Sequence, residues 1–320
     1  MKRLNMTKQK HREEGKRAEA ERRRQARRHA RAAKMTRKRK FSSGLFIAPS
    51  FLGVLAFFIL PFMVVIFYSL VDNPISSNFV FLDNFKNIIK NGAFRQAVRN
   101  TALFSAVAVP LAVVLSLLLA IVLEAKLPFR SQFRTFFLSP MMVPVASVVL
   151  IWQVLFHYNG AVNDILMAFG AKKIDWMKSE YALVVVVILF LWKNLGYNMI
   201  LFMAALASIP KDILEVAQLE SATPLQTFFH IKIRYLSSTL LFVTIMSLIG
   251  SFKIFREVYL LTTDYPVDTI YTLQHFMNNK FRSLDYQTLS AAAILMSLVM
   301  IVIIGILFIA ENRFGKDVEG

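Results

Sequence analysis

Six long apolar runs, joined by short polar connections, leave this chain few ways to fold. The first, residues 45–70, is uncharged from end to end and long enough to cross a hydrocarbon core of about 30 Å with some tilt. Further runs occupy 101–123, 136–156, 181–206, 236–252 (continuing toward Leu261) and 288–310. Backbone inside lipid has no water to bond, so each run is expected to be a helix. The expected fold is therefore all-α, a polytopic membrane protein with six transmembrane helices. Pro49 and Pro61 should kink or shorten the first span, Pro110 lies inside the second, and Pro140 and Pro144 should break the third. Composition agrees: 56% of residues are hydrophobic, more than a soluble domain can hide.

The rest of the chain follows from charge. Residues 1–44 carry net +14 of the +18 total and have no apolar periodicity, so they form a basic tail, disordered or helical on a surface. The tail suits anionic headgroups at about 1 kcal/mol per basic residue near the bilayer. Because no aromatic side chains interleave its arginines, no specific nucleic acid is expected. It is too long for the basic region of a signal peptide. The spans fill 45–310, and 311–320 is a short C-terminal tail. Six spans place both termini on one side, and the basic tail with Lys126, Arg130 and Arg134 marks that side as the cytoplasm of a bacterial membrane.

Several chemistries are excluded. With no cysteine there is no disulfide, thiolate metal site or cysteine nucleophile. The glycines make no phosphate-cradling G-x-x-x-x-G-K-[ST] loop, so ATP is not hydrolysed by that route. The five histidines are scattered and no metal or catalytic constellation is visible. No catalytic residue is assigned, and the chain is not expected to be an enzyme.

One polar stretch, 208–235, lies between the fourth and fifth spans and should form two short helices with a turn. Pro210 fits the first turn of the first helix. Thr223-Pro-Leu-Gln226 fits a capping box opening the second. Ile213, Leu214, Ala217, Leu225, Phe228 and Phe229 give both helices an apolar stripe. Such an amphipathic elbow offers another protein a handle.

The elbow resembles the EAA loop of ABC-transporter permeases, roughly E-A-A-x-x-D-G-A followed by I-x-L-P. Glu215, Ala217, Glu220, Ala222, Gln226, Phe228, Ile231 and Ile233 match or approximate it. Val216, Ser221 and Arg234 stand where the family has Ala, the turn Gly and the late Pro. Glycine is the usual residue where φ must be positive, so Ser221 implies either a strained turn or a different one. Ser139-Pro-Met-Met-Val-Pro144, residues 192–196, Leu206-Ala-Ser-Ile-Pro210 and Gly250-Ser-Phe252 extend the resemblance over 41–314. It is a resemblance to the carbohydrate class: maltose, multiple-sugar and glycerol-phosphate uptake.

The resemblance implies a type I importer permease that docks its elbow into a partner ATPase, through Glu215, Ala217, Leu219, Glu220, Ser221, Ala222 and Phe228. It further implies a second permease subunit, an ATPase dimer that carries the ATP and Mg, and an external solute-binding protein. No cofactor is expected in this chain itself.

Polar residues inside spans are costly and point to a solute path. Lys193, Asn194, Tyr197 and Asn198 share one broad face of the fourth span. Ser247 and Ser251 sit one turn apart on the fifth, and Gln153 lies on the third. Amides, hydroxyls and aromatic faces suit a polyhydroxylated solute, although interhelical hydrogen bonds would also account for them. Gly196 and Gly250 read as points of close packing. Two other classes remain open from sequence. A channel or secondary transporter would need no elbow, and a membrane-anchored scaffold would depend on the tail.

Overall fold

A computed structural model describes residues 47–124, 129–262 and 266–314. The basic tail, residues 125–128 with Lys126, and most of the C-terminal tail lie outside the described residues. Those described are helical apart from their connections and one isolated antiparallel bridge, Val71 to Phe79. The first helix, α1 (Ile47–Ser69), is long and apolar enough to cross a membrane. Pro61 would clash with a carbonyl four residues back. The helix widens there into a π-helical stretch, Leu55–Ile59, where the Leu60 amide reaches the Leu55 carbonyl. The chain divides into two units within α1, between Val64 and Val65. The described part of the first is residues 47–64 of this helix.

The second unit holds everything that follows: α2 (Asp83–Lys90), α3 (Gly92–Glu124), α4 (Arg130–Met142), α5 (Val145–Leu155), α6 (Ala161–Ala168) and α7 (Ala182–Ala207). The elbow comes next as α8 (Lys211–Leu219) and α9 (Pro224–Thr227), which runs on through the π-helical stretch Phe228–Lys232 into Ile233–Tyr235. Then come α10 (Ser237–Phe252), α11 (Phe255–Thr262), α12 (Leu273–Arg282) and α13 (Tyr286–Phe314).

The third span differs from the sequence expectation. The helix begins early, at Arg130, passes through Pro140, and stops at Val143, where α4 and α5 meet at 102°. A residue before proline is pushed out of the helical region, and Val143 is accordingly extended at φ −84°, ψ 131°. Pro144 then starts α5 as its cap. At 1.5 Å per residue neither half exceeds about 20 Å, so neither crosses alone. The described residues thus hold five helices long and apolar enough to cross a membrane, and a sixth if the bent pair is one broken span.

The centre of the second unit is α3 against α7. Ala97, Ala108, Ala112 and Ala120 give α3 a fully buried small-residue face, which lets helices approach closely. Phe104 meets Phe190 edge-on at 5.5 Å, and Val258 and Ile254 close the cluster. Gly196 settles where α4 crosses α7: a Cβ there would lie 1.9 Å from the Phe137 carbonyl oxygen. Gly250 is looser, with a Cβ position 3.6 Å from the Phe190 ring. Gly196→Ala is therefore expected to lower the thermal midpoint of the purified protein by several degrees, since forced overpacking costs about 1–3 kcal/mol. Gly250→Ala serves as a tolerated control, and an equal effect at both positions would contradict the close crossing.

Polar side chains tie the two ends. At one, the Asn100 amide donates to the Tyr271 carbonyl (3.0 Å) and the Leu273 amide donates to the Thr101 hydroxyl (2.8 Å). The fully buried Asn163 clamps the connection between α6 and α7. It accepts from the Ile174 amide and Trp176 indole, both at 3.1 Å, and donates to the Tyr158 and Ile174 carbonyls. Asp285 caps α13 through the Thr288 amide. Burial pulls its carboxyl upward, but Lys280 at 2.9 Å and the Thr288 donors hold it below the ordinary carboxylate value. At the opposite end, Lys232 pairs with Glu124 at 2.9 Å and the Ser238 hydroxyl donates to Glu311 at 2.9 Å. These contacts gather the elbow, the end of α3 and the end of α13 together.

Candidate functional site

The elbow is built as two helices joined by a tight stop. Pro210 is the cap residue of α8, one position earlier than the sequence suggested, with φ −58° and ψ 130°. The helix ends in a Schellman motif: the Ser221 amide donates to the Gln218 carbonyl (3.0 Å) and the Ala222 amide to the Ala217 carbonyl (2.9 Å). Ser221 itself sits at φ 59°. Serine thus occupies the left-handed conformation that glycine usually takes, at a cost of about 1–2 kcal/mol. Next comes the capping box. The Thr223 hydroxyl accepts from the Gln226 amide at 3.3 Å and Gln226 Oε1 accepts from the Thr223 amide at 2.8 Å.

The elbow is apolar on both sides. Its inner side seats Leu214, Phe228, Ile233 and Tyr235 against Leu206, Ile209 and Leu236 at the end of the bundle, and Ala217 is buried. Away from that contact Leu219 is 85% exposed, Leu225 70% and Val216 56%, whereas Phe229 lines a hollow with Leu240 of α10 and Leu307 of α13. Glu215 and Glu220 are exposed beside them. Of the seven residues assigned to coupling, Ala217 and Phe228 face the bundle, Ala222 is half-buried, and Glu215, Leu219, Glu220 and Ser221 face outward. Val216 and Leu225, outside that set, complete the outward ridge. Ser221→Gly is expected to relieve the turn and leave transport intact, raising stability by up to about 1 kcal/mol. Ser221→Val should instead lower the thermal midpoint. If both variants unfold alike, the left-handed turn is not a constraint.

The polar residues of the spans converge on α7, α10 and α11. Lys193 forms an ion pair with the buried Glu257, whose side chain is 5% exposed against 30% for Lys193. The Asn198 amide donates to the Ser247 hydroxyl at 3.0 Å, and both residues are buried. Ser251 shares a 2.8 Å hydrogen bond with Ser105 of α3. The Asn194 amide donates to its own helix at the Phe190 carbonyl, 2.7 Å away. The Gln153 amide lies 3.3 Å from the Leu260 and Leu261 carbonyls, capping α11. In this conformation Asn198, Ser247 and Ser251 join helices, whereas Lys193, Asn194, Tyr197 and Gln153 keep partly exposed side chains. Trp192 packs against Trp152 beside them, with ring centres 5.1 Å apart and planes tilted by 43°.

Residues 112–319, well over half of the chain, match the family model described as "Binding-protein-dependent transport system inner membrane component". The chain belongs to this family. The matched span includes the whole elbow, so the geometry above is that of a binding-protein-dependent transport component. The chain is similar to the lactose transport system permease protein LacF of Rhizobium radiobacter, 28% identical over 82% of this chain and 91% of LacF. It is also similar to the sn-glycerol-3-phosphate transport system permease protein UgpA of Escherichia coli O6:K15:H31, 29% identical over 81% and 90%. Among solved structures, a bacterial ABC transporter involved in import of the acidic polysaccharide alginate superposes with TM-score 0.75 at 20% identity, covering 86% of this chain and 96% of that one. That likeness establishes the permease fold.

Two elements of the site had no sequence signal strong enough to find them. Glu257 was visible as a charge, but its pairing to Lys193 across 64 positions depends on how α11 turns after Lys253. Asn163 sits in an ordinary amphipathic turn, and only the fold brings Tyr158, Ile174 and Trp176 around it.

Proposed function

We propose that this chain is the membrane-spanning permease subunit of an importer that carries a sugar or related polyhydroxylated solute, driven through the elbow by a partner ATPase. The observation that carries the reading is the exposure of three large apolar side chains, Val216, Leu219 and Leu225, on a capped elbow. Exposed apolar patches rimmed by charge mark protein interaction sites, and this one is anchored by its inner side to the bundle. Glu215 and Glu220 rim the ridge as charged partners for the ATPase cleft. The relatives above, one for lactose and one for sn-glycerol-3-phosphate, support the solute class.

In the same reading, ATP and Mg act on the ATPase dimer, and a second, related permease completes the path. An external solute-binding protein delivers cargo at the end held by Asn100 and Asn163. The elbow end faces the cytoplasm with both termini, consistent with Arg130, Arg134, Lys232 and Arg313 there. The basic tail meets anionic headgroups. Lys193, Asn194, Tyr197 and Gln153 contact solute directly, while Asn198, Ser247 and Ser251 become available to it when α7 and α10 shift between inward and outward states.

The chain has no cysteine, so Leu219→Cys introduces one unique thiol on the ridge. A short bifunctional reagent is expected to link it to the co-expressed ATPase, and Leu195→Cys in α7 is not. No adduct from Leu219→Cys, with the reagent active on a control thiol, would overturn docking by the ridge.

A further inference from the structure

The end of the second unit away from the elbow holds a polar hollow that the transport reading leaves without a role. It measures about 700 Å³ and lies between the first turns of α3, the start of α7 and the 3₁₀ turn Asp268–Ile270. Hollows of this volume suit small molecules. Three charged side chains line it: Arg95 and Arg99, one turn apart on α3, and Asp268. Among the described residues none of the three forms an ion pair. Arg95 donates one N–H to the Lys90 carbonyl at 3.2 Å, and Arg99 makes no hydrogen bond among the described residues.

The walls are polar and held in place. The Gln96 and Asn100 side-chain amides both donate to the Asp268 carbonyl, and Asn100 also donates to the Tyr271 carbonyl. Their own side-chain oxygens remain to accept. The Thr269 hydroxyl is buried in the wall with no partner among the described residues, and a buried polar group in that state calls for an explanation. Charge points the same way. Within 71–100, Asp72 is taken up by Asn73, Ser76 and Asn78, and Asp83 by Lys86, which leaves Lys90, Arg95 and Arg99 without an acid. Basic residues at an external end weaken the signal that orients the chain, and binding at that end accounts for them. Two guanidinium forks match a carboxylate or a phosphate. Asp268 and the amide oxygens accept from hydroxyls, and Thr269 can donate or accept. A neutral sugar leaves both arginines unanswered, and a bare inorganic anion meets Asp268 as a like charge. One small molecule bearing both an anionic group and hydroxyls satisfies the whole set.

We propose that this hollow is an external receiving site for an acidic sugar, with Arg95 and Arg99 on its carboxylate or phosphate and Asp268 and Thr269 on its hydroxyls. The inference rests on the transport reading for the direction of entry. It narrows the cargo from a polyhydroxylated solute to one that also carries negative charge.

The test is isothermal titration calorimetry on the purified transporter in lipid nanodiscs, with glucuronate, glucose 6-phosphate, glucose and inorganic phosphate as probes. The two acidic sugars separate a carboxylate from a phosphate as the recognised group. Wild type is expected to bind at least one of them about tenfold more tightly than glucose, and more tightly than inorganic phosphate. Arg99→Gln, at an exposed position, should lower that affinity about tenfold, as for one hydrogen bond to a charged group, without moving the thermal midpoint. Thr269→Val should weaken the acidic sugar and leave inorganic phosphate unchanged. Equal binding of glucose and both acidic sugars, or no binding of either acid, would overturn the proposal. So would full affinity in Arg99→Gln, or inorganic phosphate held as tightly as glucose 6-phosphate. The single thiol of Arg99→Cys gives a second readout. In the assembled transporter it should react with a small membrane-impermeant maleimide added from outside. Cross-linking to a partner subunit in its place would make the hollow a subunit contact and overturn the proposal. ATP-driven uptake of a neutral sugar without binding of either acid would sink this inference alone. Binding of an acidic sugar by a chain that purifies without an ATPase would count against the transport reading alone.

Discussion

Replacing Leu219 and Leu225 together by aspartate abolishes ATP-driven uptake while the chain continues to insert and fold. The two side chains are among the most exposed leucines of the second unit, and α8 and α9 hold their geometry through caps and inner contacts that neither residue makes. Substitutions at such surface positions usually change stability by no more than about 0.5 kcal/mol. Against a partner the balance is different. Burying a leucine is worth about 1.5–3 kcal/mol, so losing two weakens docking by roughly 10²- to 10⁴-fold, before the cost of forcing carboxylates into an apolar cleft. Loss of uptake with normal membrane levels and unchanged protease resistance is the expected pair of results. Glu215→Lys, which reverses a charge at the rim, should act in the same direction. Full uptake by the double aspartate variant would remove the ridge from the coupling surface.

The second large effect is expected at the ion pair of the spans. Glu257→Leu leaves the Lys193 ammonium without its carboxylate between α7 and α11, and Lys193→Met leaves a buried carboxylate. Removing one partner of a buried pair typically costs about 3–5 kcal/mol, whereas replacing both by apolar residues is often neutral or better. Because Lys193 keeps some exposure, its single variant should lie toward the low end of that range or below it. The expected pattern is two unstable single variants and a double variant, Lys193→Met with Glu257→Leu, whose thermal midpoint returns toward wild type. Uptake separates two roles. If Lys193 also contacts solute, the double variant recovers stability but not transport. Additive losses in the double variant would show that the two charges do not act as a pair.

Much of this architecture was legible in the sequence because it rests on local chemistry. The span lengths are set by bilayer thickness, the turn of the elbow by Thr223 and Gln226, and the close crossing at Gly196 by the absence of a Cβ. Other features depend on neighbours that no local pattern shows. A proline pair announced a break in the third span, and Val143 and Pro144 make it, but the 102° angle and the early start at Arg130 are not set by any local pattern. Hydrophobic periodicity located an apolar stripe on the elbow. It did not separate the residues that hold the elbow to the bundle, such as Ala217 and Phe228, from Val216, Leu219 and Leu225, which face away, because both sides of a short elbow are apolar. The same limit applied to Asn198, Ser247 and Ser251. A polar residue in a span can face a path or a neighbouring helix, and only the fold shows that these three bond across helices in this state.

In the proposed reading this permease works through an ATPase gripping its elbow. The most direct test is to purify the tagged chain from native membranes in mild detergent, identify what accompanies it, and reconstitute the material into vesicles. Recovery of an ATPase with a phosphate-binding glycine-rich loop and of a second six-span subunit is expected. Uptake by the vesicles should require ATP and the external binding protein. Recovery of the chain alone, transporting solute in vesicles without ATP, would contradict it.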